Sequence, residues 1–292
     1  MYAYLMSLKP VAQKSRPHDM GFPFNQRELM AGWRTLYFTA GEFKETPNQA
    51  ADWNRGAYLV EGLGHCNACH ATRNALGAIT KDDDYSGGLI PLQNWYAPSL
   101  TSSNESGLGD WDLKDIVDLL RTGVSRRGAV YGPMSAVVQH SLQEMSIVDL
   151  TAMATYLKAQ NEKKQSAPLL EHEQSSTEIA AMMKAGAVVY KDYCEACHMP
   201  NGEGVPRVYP PLANNQSILM KFPINAIRIV LNGGFPPSTE GNPRPYGMPP
   251  FYQELSDDEV AAVVTFIRGS WGNRAQSVSP AEVTKGRGVP TD

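Results

Sequence analysis

Cys66-Asn67-Ala68-Cys69-His70 and Cys194-Glu195-Ala196-Cys197-His198 are two copies of one pentapeptide pattern, and together they use all 4 cysteines of the chain. Cys-x-x-Cys-His is the pattern of covalent c-type haem attachment, in which two thiols add to the haem vinyl groups and the adjoining imidazole ligates iron. A redox disulfide, half of a zinc site and coincidence compete with that reading. A zinc site requires the two halves to meet across a long stretch of chain, and it gives no reason for a histidine after each second cysteine. Recurrence of the whole pentapeptide favours haem. The expected cofactor is therefore haem c, two groups in this chain, attached at Cys66, Cys69, Cys194 and Cys197, with His70 and His198 on iron.

Outward from the motifs, the context repeats as well. Gly56-Ala57-Tyr58-Leu59-Val60 precedes the first motif and Gly186-Ala187-Val188-Val189-Tyr190 the second, each reading as a helix that runs into the attachment site. Downstream, Pro98-Ser99-Leu100 and Pro210-Pro211-Leu212 share Pro-x-Leu. Their backbone carbonyls are candidates to accept from the proximal imidazole N–H, which fixes the ring. The first copy is longer here, and its polar segment from about Thr80 to Trp95 reads as an inserted loop. A helix follows in each copy, Leu113 to Leu120 stopped by Gly123 and Ile224 to Leu231 stopped by Gly233-Gly234. Each copy closes with a second helix announced by Ser146…Asp149 or Ser256…Glu259, serine followed three residues later by an acid.

Low-spin haem iron takes a sixth ligand, and a soft thioether sulfur suits it and raises its potential. Met134 in Tyr131-Gly132-Pro133-Met134 and Met248 in Tyr246-Gly247-Met248-Pro249-Pro250 fall on expected loops between the last two helices of each copy, and both have Gly and Pro for neighbours. Met145 is the alternative in the first copy. Met153, Met182 and Met183 lie on expected helices and read as core. His18, His65, His140 and His172 read as surface or packing residues, and His65 adjoins Cys66 too closely to reach over the same haem.

With 292 residues the chain has room for about two domains at ~100 to 200 residues each. Lys plus Arg number 26 against 30 Asp plus Glu, a net charge of -4 without any basic run, which argues against nucleic acid as a partner. No stretch reaches the ~20 apolar residues of a membrane span. The segment Met1 to Met6 has neither a basic leader nor a long apolar centre and does not read as a secretory signal. Tyr4-Leu5 instead resembles Tyr156-Leu157 and Phe266-Ile267 of the closing helices, so residues 1–8 read as the end of a further unit. From Asn25 to Phe38, Leu29, Met30, Trp33, Leu36 and Tyr37 recur at helical spacing, as in a helix lying on a membrane, a partner or a haem domain. The divisions expected are 1–50 as a domain remnant with an amphipathic connection, 51–160 and 178–273 as haem domains, 161–177 as a polar linker and 274–292 as a C-terminal tail.

Gly62-Leu63-Gly64-His65-Cys66-Asn67-Ala68-Cys69-His70 resembles the cytochrome c subunit of membrane-associated bacterial alcohol dehydrogenases. So do Met248-Pro249-Pro250-Phe251 followed by Leu255 to Val260, and Phe266 to Asn273. The same family serves gluconate, sorbitol and fructose dehydrogenases, and the likeness covers nearly the whole chain. The resemblance implies an all-α fold of class I cytochrome c domains: two in tandem here, with long loops, plus the N-terminal remnant of a third. It further implies a periplasmic location on the outer face of the cytoplasmic membrane, and a dehydrogenase large subunit that carries a quinone or flavin cofactor. Electrons would pass to ubiquinone. The chain departs from the pattern in having two haem motifs where three are usual, and Ala71-Thr72-Arg73 where Thr-Pro-Arg is usual. The leading reading is an electron-transfer subunit without substrate chemistry of its own, the alcohol or sugar being chosen by the other subunit. Alternatives are a dihaem peroxidase-type enzyme, which needs an open or histidine-ligated iron, and a free-standing periplasmic shuttle.

Overall fold

A computed structural model of the chain describes residues 2–23, 25–79, 81, 84–90, 92–101, 107–160 and 176–288. It comprises two compact units, Met1–Glu42 and Phe43–Asp292. The first holds α1 (Tyr2–Ser7) and α2 (Arg27–Tyr37), neither of which buries a residue. On α2 the rings of Trp33 and Tyr37 lie 5.4 Å apart, one turn along, and Arg34 stacks 4.8 Å from the Phe38 ring. Leu29, Met30 and Leu36 face outward.

The second unit contains two helical halves, each with its own apolar core and each built on one pair of crossing helices. In the first, α3 (Ala51–Ala57) continues as one π-helical stretch, Tyr58–Leu63, towards α4 (Asn67–His70), which carries the first motif. A small hairpin follows, β1 (Gly88–Ile90) against β2 (Trp95–Ala97), with Gly88 opposite Ala97. Next come α5 (Leu113–Thr122), a two-residue hairpin of β3 (Val124–Ser125) and β4 (Gly128–Ala129), α6 (Pro133–His140) and α7 (Ile147–Ala159). The second half is α8 (Ser176–Tyr193) running into α9 (Glu195–His198), then α10 (Ile224–Asn232), α11 (Asp257–Gly269) and α12 (Pro280–Arg287). The expected linker, 161–177, lies mostly outside the described residues.

The helix ends follow from local chemistry. Gly123 stops α5 at φ 78°, a conformation that costs an L side chain and not glycine. Ser146 accepts from the Asp149 N–H at the start of α7, and Ser256 with Glu259 forms a full capping box on α11. The aligned cations at the ends of the closing helices also match: Lys158 donates to the Trp111 carbonyl, and the buried Arg268 donates to those of Ile218, Met220 and Gln276.

Each pair is held by a close crossing of helix backbones. A Cβ placed on Gly56 would fall 2.0 Å from the Ala152 carbonyl oxygen, and one on Gly186 would fall 2.1 Å from that of Ala262. The aromatic one turn further on flanks the crossing in both cases, Tyr156 in the first and Phe266 in the second. Around these crossings, one core gathers Leu59, Val60, Tyr85, Ile116, Leu150, Met153 and Leu157, and the other Val189, Tyr190, Ile227, Leu231, Val260, Val263 and Val264.

Three segments differ from the sequence expectation. The inserted stretch expected as a loop pairs into the β1–β2 hairpin, because Asn225 of α10 holds the backbone of Tyr96: the Tyr96 N–H donates to Asn225 Oδ1 at 2.9 Å and Asn225 Nδ2 donates to the Tyr96 carbonyl at 2.7 Å. The compact unit begins at Phe43, ahead of residue 50, since Phe43 packs edge-on against Tyr58 and the Thr46 N–H donates to the Asn54 side chain. The expected tail, 274–292, contributes α12, which begins with Pro280 behind a Ser279–Glu282 capping box and buries Val283, just beyond the buried Val278. Asp257 anchors this helix by accepting from the Thr284 hydroxyl and pairing with Arg287.

Two predictions follow from this packing. Gly56→Ala or Gly186→Ala forces a methyl group into a backbone carbonyl that has no room to yield. Each should cost about 3 kcal/mol, the upper end for overpacking, measured by urea unfolding. The Thr284 hydrogen bond and then the Arg287 charge hold the Asp257 carboxyl below the usual carboxylate range. The stabilisation it provides is therefore complete above that range and is lost as pH falls through the depressed value. Protection factors in α12, taken relative to the intrinsic exchange rate at each pH, should fall on acidification in the wild type, whereas Asp257→Asn should show the lower protection already at neutral pH.

Candidate haem sites

Each motif is delivered by the helix that crosses its partner at the glycine. In the first half the Cys66 N–H donates to the Val60 carbonyl at 3.1 Å and the His70 N–H to the Cys66 carbonyl at 3.0 Å; in the second, Cys194 bonds to Tyr190 at 2.8 Å and His198 to Cys194 at 2.9 Å. One helical turn therefore spans the first thiol and the imidazole in both places. None of the four cysteines pairs with another in a disulfide.

Both imidazoles are held by a proline carbonyl. His70 Nδ1 lies 2.8 Å from the Pro98 oxygen and His198 Nδ1 3.0 Å from the Pro210 oxygen. A carbonyl only accepts, so Nδ1 carries the proton and Nε2 keeps its lone pair for a metal. Burial lowers the pKa of both histidines, against the opposing pull of the carbonyls, and keeps the rings neutral. Glycines that the sequence reading passed over make this approach possible. Gly87 at φ 81° donates to the His70 carbonyl, and an added Cβ would sit 3.0 Å from the Pro98 carbonyl carbon. Gly204 at φ 64° donates to the His198 carbonyl, and its Cβ would sit 2.8 Å from Pro210. A glycine between each motif and its Pro-x-Leu was the available signal.

Met134 and Cys66 both pack against the first core, and Met248 packs against the second, which includes Cys194. Met134 is not on a loop: Pro133 opens α6, so the methionine stands in its first turn, because proline's missing N–H costs nothing at a helix start. Met248 lies in an extended bridge with Gly234, bonded in both directions at 3.0 and 2.8 Å. Met145 also reaches the first core, from the turn before α7. Met153 is buried, as expected of a core residue. His18, His65 and His140 are exposed, and His172 lies outside the described residues.

These groups fit haem c better than the competing chemistries. Among the described residues no group of three or more His, Cys, Asp or Glu is placed to hold a metal ion. Burial pushes the Cys66 thiol up to about 11 and the Cys194 thiol to about 12. That opposes the low-pKa thiolate of a redox disulfide, while a thioether carries no proton and suits buried sulfur.

A model of the cytochrome c family matches residues 183–271. The cytochrome c subunit of the quinone-type alcohol dehydrogenase of Gluconobacter oxydans (strain 621H) is 37% identical, over 98% of this chain and 62% of its own length. The gluconate 2-dehydrogenase cytochrome c subunit of Pantoea cypripedii is 37% identical, over 97% of this chain and 67% of its own. The fructose dehydrogenase cytochrome subunit of Gluconobacter japonicus is 30% identical, over 98% and 63%. The chain thus spans roughly two thirds of the length of these relatives. Their names differ in the dehydrogenase and agree in the cytochrome subunit, and with identity at this level over almost its whole length the chain belongs to the family of cytochrome c subunits of alcohol, gluconate and fructose dehydrogenases.

Proposed function

We propose that the chain carries two haem c groups in tandem cytochrome c domains, residues 51–160 and 178–273, and conducts electrons between a dehydrogenase subunit and ubiquinone. The observation that carries this reading is the repeated site: two motif histidines, each with Nδ1 on a proline carbonyl, each beside its own apolar core. When bound, haem c supplies one-electron chemistry at iron. Cys66, Cys69, Cys194 and Cys197 would tether it, and His70 and His198 through Nε2, with Met134 and Met248 through sulfur, would hold its iron. Of the two methionines near the first core, Met134 repeats the layout of Met248: each follows a helix ended by glycine, α5 at Gly123 and α10 at Gly233. A sulfur ligand would close the site to peroxide, which separates this reading from a peroxidase.

The partner in this proposal is a dehydrogenase large subunit with a quinone or flavin cofactor, and that subunit selects the alcohol or sugar acid. The names of the relatives support it. Thioether attachment takes place outside the cytoplasm, which points to the periplasm. Among the described residues no helix is long and apolar enough to cross a membrane, in keeping with peripheral attachment to the outer face of the cytoplasmic membrane.

Mass spectrometry of protein matured in an exporting host should show two haems added, and the mass of bare polypeptide would overturn the proposal. Met134→Ala and Met248→Ala should each abolish one of two methionine-to-iron absorption bands and lower one midpoint potential. Retention of both bands in Met134→Ala transfers the role to Met145.

A further inference from the structure

The two sulfur-bearing segments face each other. Tyr131 stands three residues before Met134, and a Cβ placed on Gly234 would lie 3.3 Å from its Cδ1 and 3.8 Å from its Cε1, so the ring edge lines the space that a side chain at Gly234 would enter. Gly234 is the residue that exchanges both backbone hydrogen bonds with Met248. The neighbour of Tyr131 is held from a second direction: Gly132, at φ 58°, lies against the Trp95 ring, with an added Cβ only 2.6 Å from it. The Arg228 guanidinium of α10 lies 4.9 Å from that same Trp95 ring. The helix that leads into Gly234 therefore also bears on the residue next to Pro133 and Met134.

We propose that Tyr131 is a shared positioning residue, a wedge whose ring sets the Met134 segment of one half and the Met248 segment of the other through a single contact with Gly234. The proposal rests on the assignment of these two methionines as sulfur ligands. Gly234 is bonded to Met248 at 2.8 to 3.0 Å, so a displacement of its backbone moves the segment that presents the second sulfur. In the other direction, pressure on the ring passes through Gly132 to the first turn of α6. The ring edge makes the contact, through Cδ1 and Cε1, so the hydroxyl is dispensable.

The test uses the full chain matured with haem. Met248→Ala leaves only the first site's methionine-to-iron band, and Met134→Ala leaves only the second's. Adding Gly234→Ala to the Met248→Ala background should weaken the remaining band, although Gly234 belongs to the other half. Adding Tyr131→Leu to the Met134→Ala background should weaken the Met248 band and shift its midpoint potential, with haem stoichiometry and far-ultraviolet circular dichroism unchanged. Tyr131→Phe should preserve both bands. If each substitution disturbs only the site in its own half, the wedge is overturned. Should Tyr131→Leu lose haem, the Gly234→Ala result decides alone. If the single Met134→Ala and Met248→Ala variants both keep two bands, the ligand assignment has failed, an outcome visible before Tyr131 is touched, and the wedge falls with it.

Discussion

A glycine laid on the backbone of a crossing helix sets the geometry of both halves of this protein. At Gly56 and Gly186 the helix backbones approach so closely that no side chain fits between them. The closing helices α7 and α11 then lie in the same relation to the helices that lead into the two motifs. The motif, the apolar core and the last-turn cation take their places from that one contact. Dispersion and burial supply the bulk of the stability, but they are non-directional, and the glycine crossing is what fixes direction.

The same logic recurs at smaller scale around the imidazoles. A proline carbonyl accepts from Nδ1 only if the chain that bears it can come alongside, and Gly87 and Gly204 clear that space at positive φ. The two glycines stand at different distances from their histidines, because the first half carries the inserted hairpin and the second does not. What the halves share is the final atomic arrangement, His70 to Pro98 and His198 to Pro210, reached through loops of unequal length.

Much of this was legible in the residues. The pentapeptides mark the candidate sites, and Pro-x-Leu marks the carbonyls that face the two imidazoles. Periodic apolar residues ending in Gly123 or Gly233 gave α5 and α10, and the serine caps gave α7 and α11. The misses have separate physical causes. Ser279-Pro280-Ala281-Glu282 carries the same capping signature as Ser256 to Glu259, but the helix behind it is polar on average, and only Val283 and the preceding Val278 reveal that it is packed. Pro133 was read as loop punctuation where it is a helix start. The β1–β2 hairpin and the Tyr131–Gly234 contact depend on partners far away in sequence, and no local pattern encodes them.

The clasp between Asn225 and Tyr96 has a consequence for solubility. A two-stranded hairpin leaves unpaired backbone groups along its outer edges, and such edges invite strand addition by neighbouring molecules. The carboxamide of Asn225 offers an oxygen to one N–H and a nitrogen to one carbonyl of the same residue, as the backbone of a third strand would. It thereby terminates the ladder with a side chain. The short sheet is sealed against recruitment of another copy at Tyr96, and it gains this protection from a helix of the opposite half, so that docking of the halves and suppression of aggregation at this edge are one event.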